Sequence, residues 1–322
     1  QGGAPIDPDF STFARLYDAG TPQVAWTRLV ADLETPVSAM LKIAHERPNS
    51  FLLESVEGGA VRGRYSIIGC EPDLIWRANG ARAELNRAPQ ADPTAFAPSP
   101  QPALQSLRAL LTESAIALPP ALPPMAAGIF GYMGYDTVRL IEHLPATKPD
   151  SLRLPDSILV RPTLIVIFDS VKDEMTVVTP VKPTPGISAK TAYTRAADRL
   201  NIVIERLDQP LPHVSNLEAE AAHPELKPSM TPAAYMEKVA RAKEYIAAGD
   251  IFQVVLSQRF QAPFELPPFA LYRALRRVNP APFLYFLNFG SFAVAGSSPE
   301  ILVRLREGTV TIRPLAGTRS AS

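Results

Sequence analysis

The chain has 322 residues, 46% of them hydrophobic, and its 32 lysines and arginines balance 32 aspartates and glutamates. That length allows about two domains with real cores. Neutrality without a basic stripe excludes a nucleic-acid binder, because neutralising phosphates needs clustered cations.

Cys70 is the single cysteine, so no internal disulfide can form and a reducing, cytoplasmic setting is expected. No apolar run reaches bilayer length, and none is expected to meet a membrane. The start, Gln1-Gly2-Gly3, has neither a basic nor an apolar leader pattern, and both this end and the other, at Ser322, read as cuts.

Taken in chain order, the first clear element is a helix opening at Thr35-Pro36, a capping hydroxyl followed by proline at the first helical position. Val37, Met40, Leu41 and Ala44 then share one face. Ser50 to Val56 and Tyr65 to Ile68 read as strands, and Ala88 to Pro102 as a loop. Gly128 to Tyr135 reads as a strand and bend packed closely on a neighbour; its glycine spacing is not a dinucleotide fingerprint. Thr163 to Asp169 and Glu174 to Thr179 form a strand pair around a polar turn. Ala189 to Leu207 is a helix. It leads into a proline-rich linker, 208–229, which divides a first segment, 1–207, from a second, 230–322.

The second segment repeats the Thr-Pro signal at Thr231-Pro232, with Tyr235, Val239, Ala242 and Ile246 on one face and Gly249 as the stop. A strand is expected from Ile251 to Phe260. Phe252, Val254, Leu256 and Phe260 would face the core, with Gln253, Val255, Ser257 and Arg259 opposite. Strands follow at Pro282 to Phe289, Ser291 to Gly296, Ile301 to Arg306 and Thr309 to Arg313, the last two joined at Glu307-Gly308. Strand-rich runs with interspersed helices indicate an α+β fold.

Among chemistry-bearing residues, His45, His143, His213 and His223 lack metal spacing and read as surface or loop histidines. Leu52-Leu53-Glu54-Ser55 ends an apolar strand in an acid and a hydroxyl, and Pro282-Phe283-Leu284 opens another. Each alone is an ordinary strand end. Facing each other, they would suit an amphipathic amino acid, with polar groups for its ammonium and apolar walls for its side chain. Gln253 has no usable proton affinity at neutral pH, so it can orient a nucleophile but cannot activate water. It reads equally well as a polar residue on a half-exposed strand. Pro314 to Arg319 places Gly317 and Thr318 where backbone amides and a hydroxyl can grip a carboxylate.

Several motifs together resemble the large subunits of anthranilate synthases, which are chorismate-utilising enzymes. They are Leu-Leu-Glu-Ser (52–55), Arg-Tyr-Ser-Ile-Ile-Gly (64–69), Gly-Asp-Ile-Phe-Gln-Val-Val-Leu-Ser-Gln-Arg (249–259), Asn-Pro-Ala-Pro-Phe-Leu (279–284), Ser-Ser-Pro-Glu (297–300) and Pro-Leu-Ala-Gly-Thr-Arg (314–319). The resemblance runs from about residue 10 to the end. It implies a layered fold, like that of aminodeoxychorismate synthase, in which strands of both segments share one sheet.

It also implies conversion of chorismate and ammonia to anthranilate and pyruvate with Mg²⁺. The ammonia would come from a glutamine amidotransferase subunit, and tryptophan would act as feedback inhibitor. On matching positions, Ser55, Pro282, Phe283 and Leu284 fall on the tryptophan pocket, with Glu54 adjacent, and Gly317 and Thr318 fall on the chorismate loop. Water-adding relatives carry lysine at the position of Gln253, and amination enzymes carry glutamine.

Leu284 departs from the methionine often found there but keeps its volume. Ala316 replaces the lysine of many para-aminating relatives, the folate-pathway aminodeoxychorismate synthases, which favours the ortho reading over that alternative. The family's metal-binding glutamates and catalytic histidine follow the motif at 314–319, and the resemblance places them downstream of Ser322. The 322 residues alone are therefore expected to hold no metal and to be inactive. A catalytically dead module that binds tryptophan and docks an amidotransferase is the other alternative.

Overall fold

The computed structural model describes residues 5–44, 46–55, 63–145, 148–212 and 224–315. In chain order the elements are α1 (Phe10–Asp18), β1 (Gln23–Val30), α2 (Pro36–Ala44), β2 (Ser50–Ser55), β3 (Tyr65–Asn79), β4 (Arg82–Asn86), β5 (Ala97–Pro98), α3 (Ala103–Ser114), β6 (Phe130–Met133), β7 (Ser157–Asp169) and β8 (Glu174–Val181). Then come α4 (Ala189–Asp208), β9 (Lys227–Pro228), α5 (Pro232–Ala248), β10 (Phe260–Gln261), α6 (Pro268–Val278), β11 (Phe283–Asn288), β12 (Ala293–Ser298), β13 (Arg304–Arg306) and β14 (Thr309–Thr311).

The helices begin where the sequence offers side-chain acceptors. Asp9 accepts from the Thr12 amide, Thr35 from Ser38, Ser188 from Thr191 and Thr231 from Ala234, each meeting an orphan donor of a first turn. On α4 the buried residues Ala192, Ala196, Leu200, Val203 and Leu207 recur every three or four positions, so one face packs inward.

Among the described residues, ten strands form one antiparallel sheet. Its main path runs β1-β8-β7-β3-β2-β11-β12, with β4, β5 and β6 attached beside it. Consecutive residues in the central strands enter opposite cores. Leu52, Ile68, Val166 and Phe286 pack with Phe13, Met40, Ile43 and Leu200 from the helices on one side. Phe51, Ile67, Ile167 and Leu287 pack with Trp26 and Val24 on the other. A sheet covered on both faces reads as continuous apolar runs rather than alternation, which is the pattern of Ile165-Val166-Ile167-Phe168. The fold is mixed α+β, as expected, and strands from both expected segments share the sheet.

Two glycines set close cross-strand contacts. Phe51 pairs with Gly69 and Tyr285 with Gly296. A Cβ on Gly69 would stand 2.2 Å from Phe51 Cζ, and one on Gly296 would stand 2.1 Å from Tyr285 Cζ, so each ring occupies the space a side chain would fill. Gly131, at φ 157°, lets β6 approach β7 so closely that a Cβ would meet the Ile158 carbonyl oxygen at 1.9 Å. The close packing expected for Gly128 to Tyr135 is present.

The compact units cut the chain differently from the segments read in the sequence. One unit comprises 1–212 with 268–322, and the other is 213–267. β11 and β12 thus belong with the sheet of the first segment. In the second unit, β9 pairs with β10, and α5 starts at Thr231 and ends at Gly249 in the left-handed conformation, as its sequence signals indicate.

The strand expected over Ile251 to Phe260 is absent: 251–259 is irregular and only Phe260 and Gln261 pair. Phe252, assigned to a core face, is 97% exposed. A strand is held by a neighbour's hydrogen bonds and packing, and no described strand lies alongside 251–259. β13 and β14 form a two-stranded hairpin shorter than the two runs expected there.

Candidate functional site

Glu54 sits near the end of β2, between β3 and β11, and is only 4% exposed. A carboxylate in that position must be paired and hydrogen-bonded. Both requirements are met from α6. The Tyr272 hydroxyl donates to Oε1 at 2.5 Å, Arg276 Nε donates to Oε1 at 2.7 Å, and Arg276 Nη2 donates to Oε2 at 2.9 Å. The bidentate guanidinium fork is the strong form of this pairing.

Burial, reinforced by the Glu54 charge, holds the Tyr272 phenol far above its usual pKa, so it stays a donor. The hydrogen bond to Glu54 raises Arg276 in turn. Phe269 and Tyr272 stack with centroids 5.5 Å apart, and Phe269 meets the Phe286 ring edge-on at 5.0 Å. Together these contacts clamp α6 onto β2 and β11.

Beside the clamp lies a cavity of about 750 Å³, within the size range of small-molecule sites. Val37, Ala274, Pro280 and Leu284 give it apolar walls, and Ser55 and Ser66 supply hydroxyls from the sheet. Arg273 and Arg277, each one position from a clamp residue, line it with cations that have no partner among the described residues. Apolar walls, hydroxyls and a cationic rim suit an amphipathic ligand bearing a carboxylate.

The structure thus brings Glu54, Ser55 and Leu284 together, with Leu284 directly opposite Glu54 in register and Phe283 opposite Ser55. Pro282 and Phe283 adjoin the site without lining it; Phe283 is 37% exposed. Glu54 lies at the cavity, but its oxygens already serve Tyr272 and Arg276.

The sequence reading passed over α6 and therefore Tyr272, Arg273, Arg276 and Arg277. A signal was present: Pro268 at a helix start, then Phe269, Tyr272 and Arg276 at spacings of three and four. Gln253 lies in the other compact unit, exposed on the irregular stretch 251–259. Gly317 and Thr318 lie outside the described residues, as do His45, His213 and His223. Ser322, the position past which the metal ligands are expected, lies outside them too. His143 is exposed.

Among the described residues no three or more histidines, cysteines, aspartates or glutamates gather where they could hold a metal. Those residues therefore do not fit a Mg²⁺ site, which needs oxygen ligands grouped around the ion.

Residues 63–322 match the chorismate binding enzyme family. Anthranilate synthase component 1 of Cereibacter sphaeroides is 51% identical over 310 residues, covering 96% of this chain and 62% of that protein. The component 1 of Pseudomonas aeruginosa is 42% identical over 302 residues, covering 90% of this chain and 58% of that protein. Among solved structures, anthranilate synthase component I from Streptococcus pneumoniae TIGR4 aligns with a TM-score of 0.63 at 25% identity, covering 88% of this chain and 59% of that one. The chain spans 58–62% of the length of these curated relatives.

Proposed function

The chain belongs to the chorismate binding enzyme family, and on that premise we propose that it forms the larger part of an anthranilate synthase large subunit. The single observation that supports this most is the 51% identity to a protein of that name across 96% of the chain.

In this reading the whole protein aminates chorismate to anthranilate with loss of the 4-hydroxyl and of pyruvate, as a step in tryptophan formation. Ammonia comes from a glutamine amidotransferase subunit. Gln253, unable to take a proton from water, leaves ammonia as the nucleophile. Gly317 and Thr318 grip the substrate. Mg²⁺ would be held by carboxylates beyond the motif at 314–319 and would supply counter-charge to the substrate carboxylate.

Tryptophan is the feedback ligand, and the cavity beside Glu54 is its site. Its chemistry suits that ligand: Arg273 and Arg277 for the carboxylate, Ser55 for the ammonium, and Val37 and Leu284 for the indole. Glu54 acts through Arg276 and Tyr272, fixing the helix that carries the cations.

Two experiments test this separately. The 322-residue chain with chorismate, ammonium and Mg²⁺ is expected to give no anthranilate fluorescence, while the protein extended past Ser322 to the length of its relatives does. An extended protein that makes no anthranilate would overturn the assignment. Calorimetry with tryptophan on the 322-residue chain is expected to show binding that Ser55→Leu abolishes. Equal binding by that variant would move the inhibitor elsewhere.

A further inference from the structure

A second cavity lies where α1, β3, β7 and α4 meet, formed wholly within the larger compact unit and by residues other than those around Glu54. Its volume is about 280 Å³, at the small end for ligand sites. Four cations are among the residues that line it: Arg161, Lys182, Arg195 and Arg199.

Two nearby acids are already committed. Asp73 accepts from Arg161 at 2.7 Å, and Glu113 is shared between Arg87, at 2.8 and 2.9 Å, and Arg161, at 3.2 Å. Arg199 donates Nε to Thr179 Oγ1 at 2.7 Å, and its two terminal nitrogens have no protein acceptor among the described residues. Arg195 has none either. Lys182 gives one of its three donors to the Glu113 carbonyl, at 2.9 Å. The Tyr17 hydroxyl accepts from the Thr184 amide at 3.1 Å and keeps its own proton to give.

Converging donors of one sign, partly withdrawn from water, are the arrangement of an anion site. Burial, and then the Arg161 charge, holds Lys182 below its usual pKa; burial, countered by Asp73 and Asp198 and deepened by Arg195, does the same to Arg199. Of the acids, only Asp73, already paired with Arg161, is among the residues that line the cavity, so four cations face one acid there.

We propose that this cavity binds a small dianion, a phosphate group being the best fit, with Arg199, Arg195 and Lys182 as its principal ligands. Tetrahedral phosphate presents compact acceptors to donors arriving from several directions, which suits the small volume better than an extended dicarboxylate. The proposal does not depend on the anthranilate synthase reading.

Inorganic phosphate titrated into the 322-residue chain by calorimetry, at constant ionic strength with chloride as control, is expected to show one saturable site. Arg199→Gln should weaken it at least tenfold. Arg195→Gln, at an exposed position that leaves folding undisturbed, should weaken it severalfold. A parallel succinate titration assigns the class: phosphate binding more tightly supports the proposal, and succinate binding more tightly overturns the phosphate assignment. No saturable binding above chloride, or unchanged affinity in Arg195→Gln, overturns the site itself.

Discussion

The larger compact unit and residues 224–267 obey the same local rules and end differently. α4 and α5 both start at a hydroxyl cap and both carry a regular apolar stripe. α4 buries six residues against the sheet, while α5 buries none among the described residues. Caps mark where a helix begins, while most of its stability comes from packing an apolar face. Strands need a pairing partner, and among the described residues no strand pairs with 251–259. Local signals thus predict where a helix begins, and only partners decide whether its stripe becomes a core.

The largest contrast should be chemical. Cys70 is 1% exposed, and burial pushes its thiol up to about 12. A disulfide reagent at pH 8 should modify it on the order of a thousandfold more slowly than a cysteine placed by Ser257→Cys in the exposed stretch. That factor corresponds to about 4 kcal/mol of opening free energy. Equal rates would mean that the sheet opens as readily as the irregular segment. Because the folded thiol titrates above its unfolded value of 9.0, its contribution to stability is complete below about pH 9 and is lost as pH climbs toward 12.

Next in size, Leu164→Ala in the sheet core should cost about 2–5 kcal/mol in denaturant unfolding. Val239→Ala on α5 should stay within about 0.5 kcal/mol. Comparable losses would show that α5 is packed in solution. Glu54→Ala strips a buried phenol and a guanidinium of their acceptor and should cost about 1.5–3 kcal/mol, with tryptophan binding weakened as α6 loosens. Thr231→Ala should act on one helix only. Loss of that cap should remove about 1 kcal/mol from α5 alone, read as faster amide exchange in its first turn with the sheet amides unaffected.

What the sequence disclosed follows the same division. Thr35-Pro36, Thr231-Pro232 and Gly249 announced helix ends because capping is a local matter, and the β7–β8 pair was legible because its turn is short. β3 was read only to Ile68, although it continues to Asn79. The interruption at Glu71-Pro72 breaks the apolar run, and a shift in pairing register absorbs it. Ile251 to Phe260 was misread because alternation describes a strand's faces and says nothing of who stands beside it.

Glu54, Ser55 and Leu284, which line one cavity, stood out in the sequence because each lies at the end of an apolar strand. Tyr272 and Arg276 were missed because what gives them meaning is a carboxylate more than two hundred positions away, brought near only by the β2–β11 pairing.

The rings lying over Gly69 and Gly296 reach further than local packing. Phe51 of β2 covers Gly69 of β3, and Tyr285 of β11 covers Gly296 of β12, each filling the space a side chain would take. Sliding either seam by one step would drive an aromatic plate into a neighbouring side chain and turn both faces over. They work like the teeth of a key, one indexing the hairpin before the β2–β11 seam and the other the hairpin after it.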